Sequence, residues 1–590
     1  MPRYLVQTLA VTGTLFLHFI LLNSGAYTPH NDYFPDLTPA RFFAIALSGG
    51  TGFAIGWFFS PGMRTVRLSI LAAAGSLTVL AALSDHGSLG WSLTALASAA
   101  AFFGGLGYWA GTAFKALAKL PNTFGSSEWA DLDHLLDNNM VGDDGLRLGA
   151  FGADAAAHTL TYHGDRHLLT SAPTRSGKGT SAIIPNLLTY EGSMLVIDPK
   201  GENALITAKH REAMGQRVFV VDPWLICHAA GLEPARFNPL DWLVNGDVDI
   251  TENAMLLADA LIVPTGEHDQ FWVEEARSIL QGLILFVATD KSEARNRHLG
   301  RVRDLLLLDG EDMRKLFERM LRSPHHIVAS TGARCLQKEE RLLANVIASA
   351  QAQTHFLDSA RIRESLSASD FRFEDLKTTP TTIYLVLPSD RLNAFGRWLR
   401  LLIQQAITVN ARNIEVRPAK PVLFILDEMP ALGRLAMVEQ AFGLMAGYGF
   451  QLWGIVQDLS QLKRIYGDGW ETFISNAGVL QYFGSRDTIT ADYFSALCGV
   501  TTVWNFSSAV ARVFGSSSGQ GGGGSSSSIS NTDTTAAAQR KLAYPDELMR
   551  LPKSEQLLLI ENLNPIIGRK RPWFEDDDLK PLGRNLHESG

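Results

Sequence analysis

One stretch constrains this chain more than any other: His167–Leu188, HLLTSAPTRSGKGTSAIIPNLL. His167–Ser171 is apolar enough for a short buried strand, Ala172–Lys178 makes a tight turn of mostly small residues, and helical spacing starts at Thr180. A strand, a turn with bare backbone amides and a helix N-terminus together form an anion cradle. The phosphate-loop pattern is G-x-x-x-x-G-K-[ST], in which Lys reaches the β- and γ-phosphates and the hydroxyl meets Mg²⁺. Here Ala172 stands for the first Gly and Gly179 takes the hydroxyl position, with Thr180 next to it. The strand and helix on either side favour nucleotide phosphate binding over an incidental Gly/Ser loop.

The chain has 590 residues, enough for several domains. Hydrophobic residues make up 46% of it, and that excess lies mainly in the first ~115 residues. Four apolar runs stand there: Leu5–Leu22, Phe42–Phe59, Leu68–Leu83 and Trp91–Phe114. Each approaches the length a helix needs to cross a bilayer, the third being shortest. Three further runs, and no convincing cleavage site after Ser24-Gly25-Ala26, argue against a signal peptide. Arg3, Arg64, Arg67, Lys115 and Lys119 fall on one side of these spans, and only Arg41 on the other. The positive-inside rule then puts both termini in the cytoplasm. Gly and Ala in spans two to four offer faces for close helix packing. The net charge of −8 gives no global nucleic-acid signature, so any DNA contact must be local. Cys227, Cys335 and Cys498 have neither metal-site nor disulfide spacing.

The expected organisation is a membrane domain over 1–117 and a polar linker over 118–150 with one helix near Trp129–Leu136. An α/β domain follows over 151–245 and 372–590, interrupted by an all-helical insertion over 246–371. Strands end at Ser193–Asp198 and Val218–Asp222, and alternation with helices predicts a parallel sheet. Asp198 and Asp222 sit where such sheets bind ligands, though Asp-Pro serves equally as turn chemistry. Val422–Leu426 is a buried strand ending in Asp427-Glu428. Downstream of a phosphate loop, the first carboxylate suits Mg²⁺ and the second suits the attacking water. Leu452–Val456 ends in Gln457, either a γ-phosphate sensor or the cap of the next helix. The Ser/Gly-rich stretch 515–535 predicts a flexible loop. Arg569-Lys570-Arg571 reads as a solvated face balanced by Glu575–Asp578.

Taken in order, the motifs resemble the type IV coupling protein family, the TraG-like membrane ATPases of conjugation and type IV secretion. They are Ala172–Gly179, Asp198-Pro199-Lys200-Gly201-Glu202, Phe237-Asn238-Pro239-Leu240, and Phe271-Trp272 with Ala276-Arg277. Tyr384-Leu385-Val386-Leu387-Pro388, Leu426-Asp427-Glu428 with Leu432-Gly433, and Ser460-Gln461-Leu462 with Ile465-Tyr466-Gly467 complete the set. The resemblance implies a RecA-like P-loop NTPase domain with an inserted all-helical domain, preceded by a transmembrane helix bundle in the bacterial inner membrane. It further implies a homo-hexamer that takes a relaxase–DNA complex or protein effectors to the inner-membrane components of a secretion channel. Single-stranded DNA is a further expected partner. Family members commonly have two spans, against four here.

Carried onto this sequence, Thr174, Arg175, Ser176, Gly177, Lys178, Gly179 and Thr180 would surround the phosphates of ATP. Thr180 and Asp427 would hold Mg²⁺, Glu428 would polarise water, and Gln457 would link phosphate state to movement. Arg434, Arg464 and Arg486 are the candidates for an arginine finger; Gln451 stands where some relatives carry a basic residue. Two rival functions remain at this stage. One is a chromosome-type DNA translocase, disfavoured by the few residues after Leu582. The other is a nucleotide-binding receptor for protein effectors with little turnover.

Overall fold

Strands account for the sites of both chemical motifs. The computed structural model describes residues 39–60, 99–100, 103–108, 110–111, 125–152, 157–263, 270–517 and 524–586. The chain divides into two compact units, one of them built on a large mixed sheet. Strands β1 (Leu146–Phe151), β2 (His158–Tyr162), β3 (His167–Ser171), β4 (Met194–Asp198) and β5 (Arg217–Val221) come first. After a helical segment come β6 (Thr381–Val386), β7 (Val422–Leu426), β8 (Phe450–Val456) and β9 (Ala477–Tyr482). A ribbon of β10 (Val500–Ser517) and β11 (Gly524–Lys541) precedes β12 (Glu555–Ile560) and β13 (Ile566–Arg569).

The sheet order is β2-β1-β13-β12-β9-β3-β8-β7-β4-β6-β5. From β9 to β5 every pairing is parallel, and from β9 to β2 every pairing is antiparallel. All residues of β3, β4, β6, β7 and β8 are buried, as expected for parallel strands covered on both faces. Period two sorts their side chains. In β4, Leu195 and Ile197 join the core shared with the helical segment, while Met194 and Val196 face Ile183 and Leu187.

Two expectations need correction. The polar connection expected over 118–150 already contains sheet, because β1 starts at Leu146 and pairs with β13 and β2. Its Leu146, Leu148 and Ala150 alternate inward, a period-two signal masked by the Gly- and Asp-rich residues before it. Within the stretch 515–535, expected to be a flexible loop, 515–517 and 524–535 lie in the paired strands β10 and β11, while 518–523 lie outside the described residues. Ser and Gly read as coil in isolation, and here they are held extended by the pairing of the two strands.

Between β5 and β6 the described residues hold helices and no strand. They include Ile250–Leu261, Gln270–Thr289, Leu299–Leu306, Gly310–Leu321, His326–Gln337 and Glu340–Thr354. Arg400, on the helix Leu392–Arg412, fastens this helical layer to the loop after β7. Its buried guanidinium donates to the carbonyls of Ala260 (3.2 Å) and Ile262 (3.5 Å) and of Leu432 (2.6 Å) and Arg434 (2.7 Å). Burial pulls its pKa down to about 10, still far above neutrality. Arg400→Met is expected to strand these carbonyls and lower stability by roughly 3 kcal/mol, read as a drop in melting temperature.

His167 opens β3 fully buried. Its Nδ1 accepts from Leu452 N–H (3.1 Å), which makes Nε2 the protonated nitrogen, donating to the Ala441 carbonyl (2.8 Å). Burial lowers its pKa to about 4, from 6.5 in an unfolded chain. The neutral form is therefore the folded form, and its stabilisation is complete above pH ~6.5 and is lost as pH falls toward 4. The shift corresponds to about 3 kcal/mol. Thermal melts between pH 7 and 4 should fall less steeply for His167→Gln than for the unsubstituted chain.

In the other unit, the second apolar run lies in the helix Pro39–Phe59. A methyl group on Gly52, Gly56 or Gly107 would overlap the backbone carbonyl oxygens of Ala100, Gly104 and Phe53, respectively. Small residues thus bring two helical segments into backbone contact. Among the described residues no helix is long and apolar enough to cross a membrane. Leu5–Leu22, Leu68–Leu83 and part of Trp91–Phe114 lie outside the described residues.

Candidate active site

The strand order brings the separate motifs together. β8 lies between β3 and β7, so the loops leaving β3, β7 and β8 emerge side by side at the carboxyl edge of the sheet. Ala172 N–H extends the β3–β8 ladder by donating to Val456 O (2.8 Å). The chain then turns sharply, with Arg175 (φ 62°) and Gly177 (φ 91°) both left-handed. Left-handed residues interrupt the alternation of backbone amides and let successive N–H groups face one concavity.

The departure at Gly179 has a structural counterpart. Gly179–Ile183 is a π-helical turn, in which Ile184 N–H reaches back to Gly179 O before the α-helix Ile184–Thr189 begins. A π turn absorbs one extra residue in a helix. Thr180 stays at the loop, its hydroxyl donating to Gly177 O (3.2 Å).

Lys178 Nζ lies 2.7 Å from Asp427 Oδ1 and 2.6 Å from Glu428 Oε1. Burial opposes its charge, but the two carboxylates outweigh that and raise its pKa, so it is an ammonium at neutral pH. Asp427 is nearly sealed from solvent; burial raises its pKa even though Lys178 pulls the other way. Glu428 sits in the left-handed region (φ 58°, ψ 45°), a conformation costing a non-glycine residue about 1 kcal/mol or more. Gln457 Nε2 donates to Glu428 Oε2 (3.1 Å). The next helix, Leu459–Tyr466, is capped by Asp458, whose carboxylate accepts from Gln461 N–H (2.8 Å). The Gln457 amide is therefore directed at Glu428 and not spent on the helix. An ammonium, two carboxylates and an amide thus meet beside a nest of backbone amides, the arrangement phosphoryl chemistry requires.

A family model described as "Type IV secretory system Conjugative DNA transfer" matches residues 123–587. The chain belongs to this conjugative DNA transfer family. Protein VirD4 of Rhizobium radiobacter is 30% identical over 446 residues, covering 72% of this chain and 59% of VirD4. Conjugal transfer protein TraG of Escherichia coli is 28% identical over 450 residues, covering 71% of this chain and 68% of TraG. The fold is shared with plasmid coupling protein TrwB. TrwB in complex with the ATP analogue ADPNP matches with a TM-score of 0.57 at 14% identity, covering 77% of this chain and 95% of that one. TrwB in complex with ADP and Mg²⁺ matches with a TM-score of 0.52 at 15% identity, covering 69% and 85%.

Other residues singled out in this family member have separate roles. Asp198 accepts from Ala204 N–H (2.9 Å) and Lys200 N–H (3.3 Å), and Asp222 from Cys227 N–H (2.7 Å) and Trp224 N–H (3.2 Å). Both perform turn chemistry, but Asp198 also feels the Asp427 charge; burial first, and that charge second, push it up to about 7. Gln451 is buried at the opposite end of β8 from Gln457, donating to Gly164 O (2.7 Å) and Arg166 O (3.0 Å). It is a tether at the amino edge, remote from the loop cluster. Arg434, Arg464 and Arg486 are all exposed. Sequence reasoning missed Lys570. The cluster read as a solvated face is split: Lys570 is buried, and Arg571 pairs with the buried Asp576 (3.3 Å).

Proposed function

We propose that this chain is an inner-membrane ATPase coupling protein. In this reading it recruits a relaxase–DNA complex or protein effectors and delivers them to a type IV secretion channel. The observation that carries the reading is the convergence of Lys178, Asp427, Glu428 and Gln457 on the turn Ala172–Lys178. The names of VirD4 and TraG, and of TrwB with ADPNP or with ADP and Mg²⁺, support it.

The residues fit ATP and Mg²⁺. Carboxylate and hydroxyl oxygens are the hard donors Mg²⁺ prefers, and Asp427 and Thr180 supply them. Among the described residues, the buried Ser176 Oγ has no hydrogen-bond partner, which leaves polar capacity open in the loop. Once bound, Mg²⁺ supplies charge neutralisation for the phosphates. Lys178 would exchange its carboxylate partners for the β- and γ-phosphates. Glu428, released from Lys178, would orient and deprotonate water, and Gln457 would follow its movement through their shared hydrogen bond. The apolar runs before Pro121 would anchor the chain as a multi-pass protein with both termini cytoplasmic, and a homo-hexamer would surround the cargo path.

ATP turnover of the purified chain, with and without single-stranded DNA, tests this. Expected is DNA-stimulated hydrolysis, absent in Lys178→Ala and Glu428→Gln. Nucleotide binding with negligible turnover, DNA and partners present, would overturn the motor reading.

A further inference from the structure

Lys570 follows β13, and its own N–H is held by the Ser554 carbonyl (2.7 Å). Its side chain passes over the ring of Phe483, with Nζ 4.4 Å from the ring centroid. The ammonium then donates to Phe483 O (3.3 Å), just past β9, and to Ser176 O (3.2 Å), inside the phosphate loop. It has no carboxylate within ion-pair distance among the described residues, unlike Lys178. A buried ammonium without a counter-ion is expensive to keep, and burial pulls its pKa down to about 8.

Ser176 lies between the two left-handed residues of the loop, Arg175 and Gly177. In a trans peptide the carbonyl and the following N–H point in opposite directions. Drawing Ser176 O toward Lys570 therefore turns Gly177 N–H to the other face. Among the described residues, that N–H donates to no backbone carbonyl. We propose that Lys570 is a positioning residue for nucleotide binding, fixing the Ser176–Gly177 peptide with its amide toward the phosphates and adding an unpaired positive charge to the loop. The proposal rests on Ala172–Lys178 being a nucleotide phosphate loop. A bound polyphosphate is the counter-charge that Lys570 lacks in the free chain.

The test is titration of the full-length chain with a fluorescent ADP analogue and Mg²⁺, and steady-state ATP kinetics, for Lys570→Met, Lys570→Arg and Lys178→Ala. Lys570→Met should weaken nucleotide binding about tenfold and raise KM by a similar factor, with kcat within about twofold because Glu428 and Gln457 are untouched. Lys570→Arg, which keeps the charge and its donors, should return affinity to within about threefold. Should Lys570→Met fail to fold, Lys570→Leu carries the same expectation, since it too removes both the donors and the charge. Unchanged affinity in the uncharged variant, with binding lost in Lys178→Ala, overturns the proposal alone. Unchanged affinity in Lys178→Ala as well overturns the phosphate-loop reading beneath it.

Discussion

Glu428→Gln is expected to bind nucleotide normally and to hydrolyse it about a thousandfold more slowly. The substitution keeps the shape and the left-handed backbone of a residue whose side chain already bonds Gln457, so the loop has no reason to rearrange. It removes the charge that pulls on Lys178 and the basicity that would take a proton from water. With one carboxylate fewer competing for Lys178, affinity should hold or rise slightly, separating binding from chemistry. Phosphate release and analogue binding measured on the same preparation decide the matter. Turnover above about a tenth of the original rate would remove Glu428 from the role of base.

The Asp427-Glu428 pair was legible before any fold was known, because Val422–Leu426 is an unbroken apolar run with these carboxylates at its end. The same signal revealed β3, β4, β6 and β8: strands buried on both faces have no polar alternation to obscure them. Lateral order was not legible. Nothing in β8 says that it inserts between β3 and β7, yet that insertion alone lets Gln457 reach Glu428. β1 was hidden because LRLGAF buries only alternate residues and follows a polar segment. The end of β10 and the start of β11 were hidden because their Ser- and Gly-rich sequence has little strand propensity of its own. Lys570 was hidden for a different reason: three consecutive basic residues suggest a solvated face, and only the tertiary path over Phe483 singles out the middle one. Composition reports what a segment prefers by itself, whereas these residues are defined by their neighbours.

Lys178→Met should abolish measurable nucleotide binding, a loss of about a hundredfold or more, and should also alter the free chain. Among the described residues, Lys178 is the cation within ion-pair distance of both Asp427 and Glu428. Burial already raises the Asp427 pKa against the pull of Lys178, so removing the ammonium raises it further. A carboxyl whose folded pKa is raised favours the folded state while protonated, and that contribution disappears as pH climbs through the raised value. Lys178→Met is therefore expected to melt earlier than the unsubstituted chain at neutral pH, with the deficit shrinking on acidification. Adding Asp427→Asn should recover most of the deficit, because the most buried charge is then gone and the more exposed Glu428 keeps its hydrogen bond from Gln457, while nucleotide binding stays absent. The two substitutions should couple by about 1–3 kcal/mol in melting experiments. Simple additivity would mean that the ion pair contributes nothing to holding the empty site, and that Lys178 is kept for the phosphates alone.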